Sequence, residues 1–244
     1  MFERHKALRY PADSRQPLWR YFPYERLLDL LRSGELFFTH LPAFSDGLEG
    51  SLTNRNREHL ASWFKAQNQS DDSSAWEEVE KYEENQADFY ASCWHMNQGE
   101  SYLMWKAYAE RGIAVRTTFE RVQASFEGFS GSVTGGVVDY VDFARERTPV
   151  GNVFHLVMTK DYPYFDEREF RLLLWTLDPK NLALIRLSNG VRVPVNVPML
   201  IERVFINPLS PSIPGELLEL LDRHKIVVDK SSLKYRPTLS EPKK

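Results

Sequence analysis

Glu167, Glu169 and Arg171 follow one another at two-residue spacing in the stretch DYPYFDEREFRLLLW, Asp161 to Trp175. Side chains alternate between the two faces of a strand. A strand from about Arg168 to Trp175 therefore sends Glu169, Arg171 and Leu173 to one face and Phe170, Leu172 and Leu174 to the other. Glu167, just ahead of the strand, falls on the Glu169 side. At about 3.3 Å of rise per residue the two carboxylates lie roughly 7 Å apart. A guanidinium on the same edge holds one of them ionised. Such an edge suits acid/base work or the anchoring of a polar ligand. The plainer alternative is a structural pairing of Glu169 with Arg171 across neighbouring strands, worth about 0.2–1 kcal/mol if exposed.

Other residue groups offer weaker chemistry. Cys93 and His95 share a strand face, but one cysteine with no second cluster is a poor zinc signature. A strand cysteine is more often buried and inert than nucleophilic. Asp46, Glu49, Glu167 and Glu169 carry enough oxygens for a Mg²⁺ site and nuclease-like hydrolysis, yet no spacing among them is diagnostic. A turn cap through the Asp46 side chain is the better explanation of the Gly-bounded Asp46–Glu49 loop. Gly131, Gly135 and Gly136 lack the Lys-Ser/Thr that completes a phosphate loop. No resident metal is expected.

The chain that must position these groups has 244 residues, 42% hydrophobic and 27% charged, with a net charge of −3 and a pI near 6.1. That balance exerts no global pull on nucleic acid or anionic membranes. There is no apolar run of bilayer length, and MFERHKALRY lacks the apolar centre of a signal peptide. With the single Cys93 unable to form an internal disulfide, the expected compartment is the cytoplasm.

Residues 1–17, polar and interrupted by Pro11 and Pro17, read as a loosely held N-terminal arm. Leu18–Phe22 reads as a strand closed by Pro23, and residues 24–33 as a helix with Leu27, Leu28, Leu30 and Leu31 on one stripe, stopped by Gly34. A strand at 35–39 leads into the turn-rich HLPAFSDGLEG. Helices in the region 56–86 look like a hairpin inserted between strands. DFYASCW, 88–94, is a strand. Ser101 caps a helix with Leu103, Met104, Ala107 and Tyr108 as its buried stripe, and Met104 and Trp105 as core. Strands follow at 113–119 and 136–141, while 153–160 carries no clear pattern. Ser188-Asn189-Gly190 between apolar runs signals a hairpin. A strand at 200–206, a helix after Pro214, a strand at 226–228 and a frayed tail at 237–244 complete the chain. This order predicts a single α+β domain over 18–236, with a mostly antiparallel sheet, flanking helices and a helical insertion.

Three blocks in order resemble a widespread, uncharacterised bacterial family. They are LWRYFPYERLLDLLRSGELFFTHLPAFSDGLE, SCW…LMWKAYAERGIAV and YFDEREFRLLL, followed by LIERVFINP and VVDKSSLKYR. The chain departs from that pattern at Ser45-Asp46-Gly47, where Asn-Asp-Pro is usual, and at Trp94, where a second small hydroxyl residue is common. A further similarity is to mono-ADP-ribosyltransferases of the arginine-serine-glutamate class, through Arg20 on an early strand, Ser92 on a middle one and Glu167-x-Glu169 on a later one.

The second resemblance implies NAD as substrate and a role in bacterial conflict or phage defence. Arg20 would pair with the pyrophosphate, and Ser92 would orient the ribose. Glu169 would stabilise the oxocarbenium-like sugar, and Glu167 would position or deprotonate the acceptor. Tyr21 or Trp94 would stack on nicotinamide, with Arg171 as a further cofactor-binding residue. The acceptor, protein or nucleic acid, and the oligomeric state are not legible in the chain. The alternatives are a non-enzymatic ligand- or protein-binding module and, third, a metal-dependent hydrolase or nuclease.

Overall fold

Bulky alternating residues draw Pro17–Phe22 into strand β1, and Pro23 then opens helix α1, Tyr24–Ser33, whose four core leucines are all buried. Gly34 ends α1 in the left-handed region, φ 69°, with its N–H on Leu30 O, a conformation open to glycine without steric cost. Strand β2, Glu35–His40, follows. Helices α2, Asn54–Asn68, and α3, Asp72–Glu84, form the inserted hairpin. The chain continues through β3, Phe89–Met96; α4, Tyr102–Tyr108; β4, Ile113–Thr118; and α5, Phe119–Ser125. Next come β5, Thr134–Val137; β6, Asp139–Val141; α6, Val153–Val157; and β7, Thr159–Asp161. A short 3-10 turn, Tyr162–Glu167, leads into β8, Glu169–Trp175. The remainder comprises β9, Arg186–Leu187; β10, Gly190–Pro194; α7, Val197–Leu200; β11, Arg203–Ile206; α8, Gly215–Arg223; and β12, Val227–Lys230. This computed structural model describes residues 1–44, 47–68, 71–207, 209 and 213–233.

The architecture is α+β, with a ten-stranded, mostly antiparallel sheet and flanking helices. Strand β8 runs along one edge of β3 from Phe89↔Trp175 to His95↔Glu169, and β5 lies beyond it. The other edge of β3 is shared. β1 pairs with it only at His95 and Met96, and β2 only at Tyr90 and Ala91. Between them, Ser92, Cys93 and Trp94 have no strand partner on that edge among the described residues. The sheet forks there.

Because β3 and β8 alternate cleanly, each supplies two cores. Trp94, Phe170, Leu172 and Leu174 pack under α1, α5 and α8, while Phe89, Ala91 and Leu173 pack under the α2–α3 hairpin and α6.

Several elements differ from the sequence expectation. Residues 1–17 are not a loose arm. The amino terminus bonds to Phe129 O and Gly131 O, Phe2 bridges Val133, Val137 N–H donates to Arg9 O at 2.9 Å, and Leu8 is buried. The apolar Phe2, Leu8 and Tyr10 pull the segment onto the sheet. The stripe of α4 is also rotated. Leu103 (57% exposed) faces outward and Tyr108 (47%) turns to the cleft described below, while Trp105, expected in the core, is fully buried edge-on to Tyr21 at 5.2 Å. A helix this short packs through its largest ring. Residues 136–141 divide between β5 and β6, and 200–206 begin as the end of α7. The expected tail at 237–244 lies outside the described residues. Among the described residues, no helix is long and apolar enough to cross a membrane.

Candidate functional site

At the fork, side chains from the diverging strands close around a cavity of about 310 Å³. Arg20 and Tyr21 enter from β1, and Cys93, Trp94 and His95 from β3. Helix α4 contributes Met104 and Tyr108, β7 contributes Lys160, and the loop after β2 contributes Phe44 and Glu49. Tyr164, Glu167 and Glu169 close the far side.

Arg20 is a cation without a carboxylate partner among the described residues. Its Nη1 donates to Ser92 Oγ at 2.6 Å, and the guanidinium carbon lies 5.7 Å from the ring centroids of both Phe22 and Trp94. Burial pushes its pKa down to about 10, and the neighbouring Arg26 adds to the effect. It remains charged at neutral pH. A partly desolvated guanidinium backed by aromatic faces is a receptive place for an anion. Arg26, exposed at the start of α1, lines the same cavity.

The opposite wall is a network of carboxylates and cations. Arg171, 0% exposed, bonds Glu169 with both edges of its fork, Nε to Oε1 at 2.5 Å and Nη2 to Oε2 at 2.9 Å. It also donates to Glu49 Oε1 at 3.1 Å and Val157 O at 2.7 Å. Lys160 joins Glu49 Oε1 at 2.9 Å to Glu167 Oε2 at 2.7 Å, and Tyr108 OH donates to Glu167 Oε1 at 2.8 Å. Burial alone would raise the Glu169 pKa, but Arg171 and then Lys160 outweigh it and hold the carboxyl below its ordinary value. Burial likewise opposes the charges of Arg171 and Lys160; their carboxylate partners, Glu169 and Glu49 foremost, more than restore them. Burial, reinforced by Glu169, raises the Cys93 thiol pKa well above its ordinary value, so the thiol is protonated at neutral pH.

Five of the seven residues singled out from sequence, Arg20, Tyr21, Trp94, Glu167 and Glu169, line this cavity. Ser92 and Arg171 do not. Ser92 is fully buried and reaches the site through Arg20, so it positions the guanidinium instead of orienting a ribose. Arg171 is sealed beneath Glu169 and Glu49 and cannot touch a ligand, so its cofactor-binding assignment becomes one of positioning. Its pairing with Glu169 is along one strand, not across neighbouring strands.

For a metal site, Asp46 lies outside the described residues. Glu49 is tied to Glu167 through Lys160 and to Glu169 through Arg171, so cations of the protein already stand between these carboxylates.

Lys160, Tyr108 and Arg26 were not singled out. Lys160 sits in a stretch without periodicity, Tyr108 on a helix face expected to be buried, and Arg26 among leucines that draw the eye to packing. No family model, no curated protein and no solved structure matches the chain.

Proposed function

We propose that this chain is an NAD-using enzyme of the ADP-ribosyltransferase kind, which passes ADP-ribose from NAD to an acceptor with release of nicotinamide. The observation that carries this reading is the placement of two unlike groups on one cleft. Arg20, lacking a carboxylate partner among the described residues, stands on β1. Glu169, held ionised, stands on β8, on the other side of β3.

A pyrophosphate suits the first, where the planar fork of arginine meets phosphate oxygens in bidentate fashion. A sugar that gains positive charge as its glycosidic bond breaks suits the second. Arg171 and the Cys93 thiol occupy three of the four lone-pair directions of the Glu169 carboxylate, which leaves one for a ribose hydroxyl. Tyr21 supplies a flat apolar face for the base, while Trp94 backs the Arg20 guanidinium. The cavity falls within the size range of small-molecule sites, about 300–1,000 Å³. A binding module without chemistry needs no ionised carboxylate buried opposite a cation, so the convergence of Arg20 and Glu169 favours the enzyme.

Calorimetric titration tests the phosphate role. Replacing a charge-assisted bond costs about 1.5–3 kcal/mol, so Arg20→Gln weakens NAD and ADP binding by roughly tenfold to a hundredfold. Adenosine, without phosphates, binds the variant as it binds the wild type. Equal affinity of wild type and Arg20→Gln for ADP contradicts the assignment.

A further inference from the structure

His95 stands where the sheet forks, paired with Trp19 of β1 on one side and Glu169 of β8 on the other. The residue is 4% exposed, and its side chain lines the cleft. Its Nδ1 lies 2.6 Å from the backbone carbonyl oxygen of Glu167. A carbonyl only accepts, so Nδ1 carries the proton, and the neutral ring presents Nε2 as a bare lone pair. Nε2 has no hydrogen-bond partner among the described residues. Buried polar atoms are nearly always paired, so an unpaired one on a residue that lines the cleft is a place for a ligand or a water to complete the set.

The carboxylates around the cleft are already held, Glu49 by Lys160 through one oxygen and by Arg171 through the other. Both Glu167 oxygens are taken, by Tyr108 and by Lys160. Both Glu169 oxygens accept from Arg171. Cys93 and Tyr108 hold their own protons, since burial raises both. A carboxylate held below its ordinary pKa by a buried guanidinium is also a weakened base.

We propose that His95 is a further catalytic residue, the general base whose Nε2 takes the proton from a hydroxyl acceptor. This inference rests on the transferase reading. As the acceptor oxygen bonds to the ribosyl carbon, the bond from that carbon to the nicotinamide nitrogen breaks. Its electron pair stays on nicotinamide, neutralising the pyridinium. The acceptor oxygen becomes strongly acidic as its new bond forms, and its proton passes to His95 Nε2. The imidazolium later returns that proton to solvent, so the overall change is NAD⁺ plus a hydroxyl giving the ADP-ribosyl product, nicotinamide and one proton. Glu167 in this scheme positions His95 through its carbonyl, in place of deprotonating the acceptor itself.

The surroundings set the expected pH behaviour. Tyr21 meets the ring from β1, its centroid 6.2 Å away. Glu167 and Arg168 approach from the turn before β8, with Glu169 on that strand. Lys160 of β7, Tyr108 of α4 and Cys93 on its own strand share the cleft. Burial lowers the imidazole pKa from its ordinary value, and Arg168 adds to this while the Glu167 contacts oppose it. The base is thus neutral at pH 7 and is lost only as the pH falls below about 6.5.

The experiment follows nicotinamide release from NAD against pH, with water, methanol or cell extract supplying the acceptor, for wild type, His95→Asn and His95→Gln. Asparagine keeps an N–H donor toward the Glu167 carbonyl but has no Nε2 lone pair. Wild-type kcat/KM falls on the acid side with a midpoint below about 6.5. In His95→Asn that limb disappears, the rate drops by roughly 10²–10⁴-fold, and added imidazole restores part of it. Turnover in His95→Asn with the same acid limb and a loss under about threefold overturns the inference and leaves the transferase reading standing. No release by wild type with any acceptor overturns the transferase reading, and the role of His95 with it. Nitrogen NMR of the wild-type imidazole gives a check that needs no variant: Nδ1–H with unprotonated Nε2 at pH 7 is expected, and the opposite tautomer overturns the assignment.

Discussion

Arg171 sets the electrostatics of the cleft without touching it. Its full burial between Glu169 and Glu49 means that its removal strands two carboxylates away from their main counter-charge. Breaking a buried pair from one side costs about 3–5 kcal/mol. Arg171→Met should therefore lower the denaturant midpoint strongly at pH 7. The sign of the acid response is fixed by Glu169, whose folded pKa lies below its ordinary 4.5. Its contribution to stability is complete above that value and is lost as the pH falls through the lowered folded pKa. The stability gap between wild type and Arg171→Met should accordingly narrow below about pH 4.5, measured by urea unfolding at several pH values. An unchanged gap at acid pH contradicts this account of the pair. The alternation of EREFRLLLW made the shared face of Glu169 and Arg171 legible in sequence. That Arg171 lies wholly beneath that face was not, because the covering groups, Glu49 and Val157, come from distant parts of the chain.

Among the elements, α4 matters most to the cleft, since one turn of it carries both the buried Trp105 and the cleft-lining Tyr108. Ser101 caps this helix by accepting from the Met104 N–H at 3.3 Å. Loss of an N-cap costs about 1 kcal/mol, so Ser101→Ala should lower the melting temperature by a few degrees and loosen the Tyr108–Glu167 bond. Its check is calorimetry, together with a Tyr108→Phe variant combined with Ser101→Ala; additive losses contradict the coupling between cap and cleft. Most elements were legible from periodicity and caps: the leucine stripe of α1, the Ser101 cap, the hairpin at Ser188-Asn189. Segments near 153–160 and 197–206 were not, because four- or five-residue helices beside three- or four-residue strands never complete a period. The α4 face was misread because one large ring, Trp105, outweighed the smaller apolar residues in a helix of two turns.

At the scale of the molecule, β3 and β8 each face both cores, so neither core can melt while the other keeps its strands. Equilibrium unfolding should then be one transition, with tryptophan fluorescence and far-UV circular dichroism superimposing; separate midpoints contradict that coupling. The α+β class and antiparallel character followed from element order. The fork did not, because the division of one edge of β3 between β1 and β2 is a long-range pairing with no local signature, yet it creates the cavity between Arg20 and Glu169. The most direct test of the central claim is incubation of the protein with labelled NAD, alone and with cell extract, for wild type and Glu169→Gln. On the transferase reading, nicotinamide release or label on a macromolecule drops by at least about a hundredfold in the variant, the scale of losing an electrostatic stabiliser of the transition state. Equal signals from wild type and Glu169→Gln, or no turnover by wild type, would contradict it.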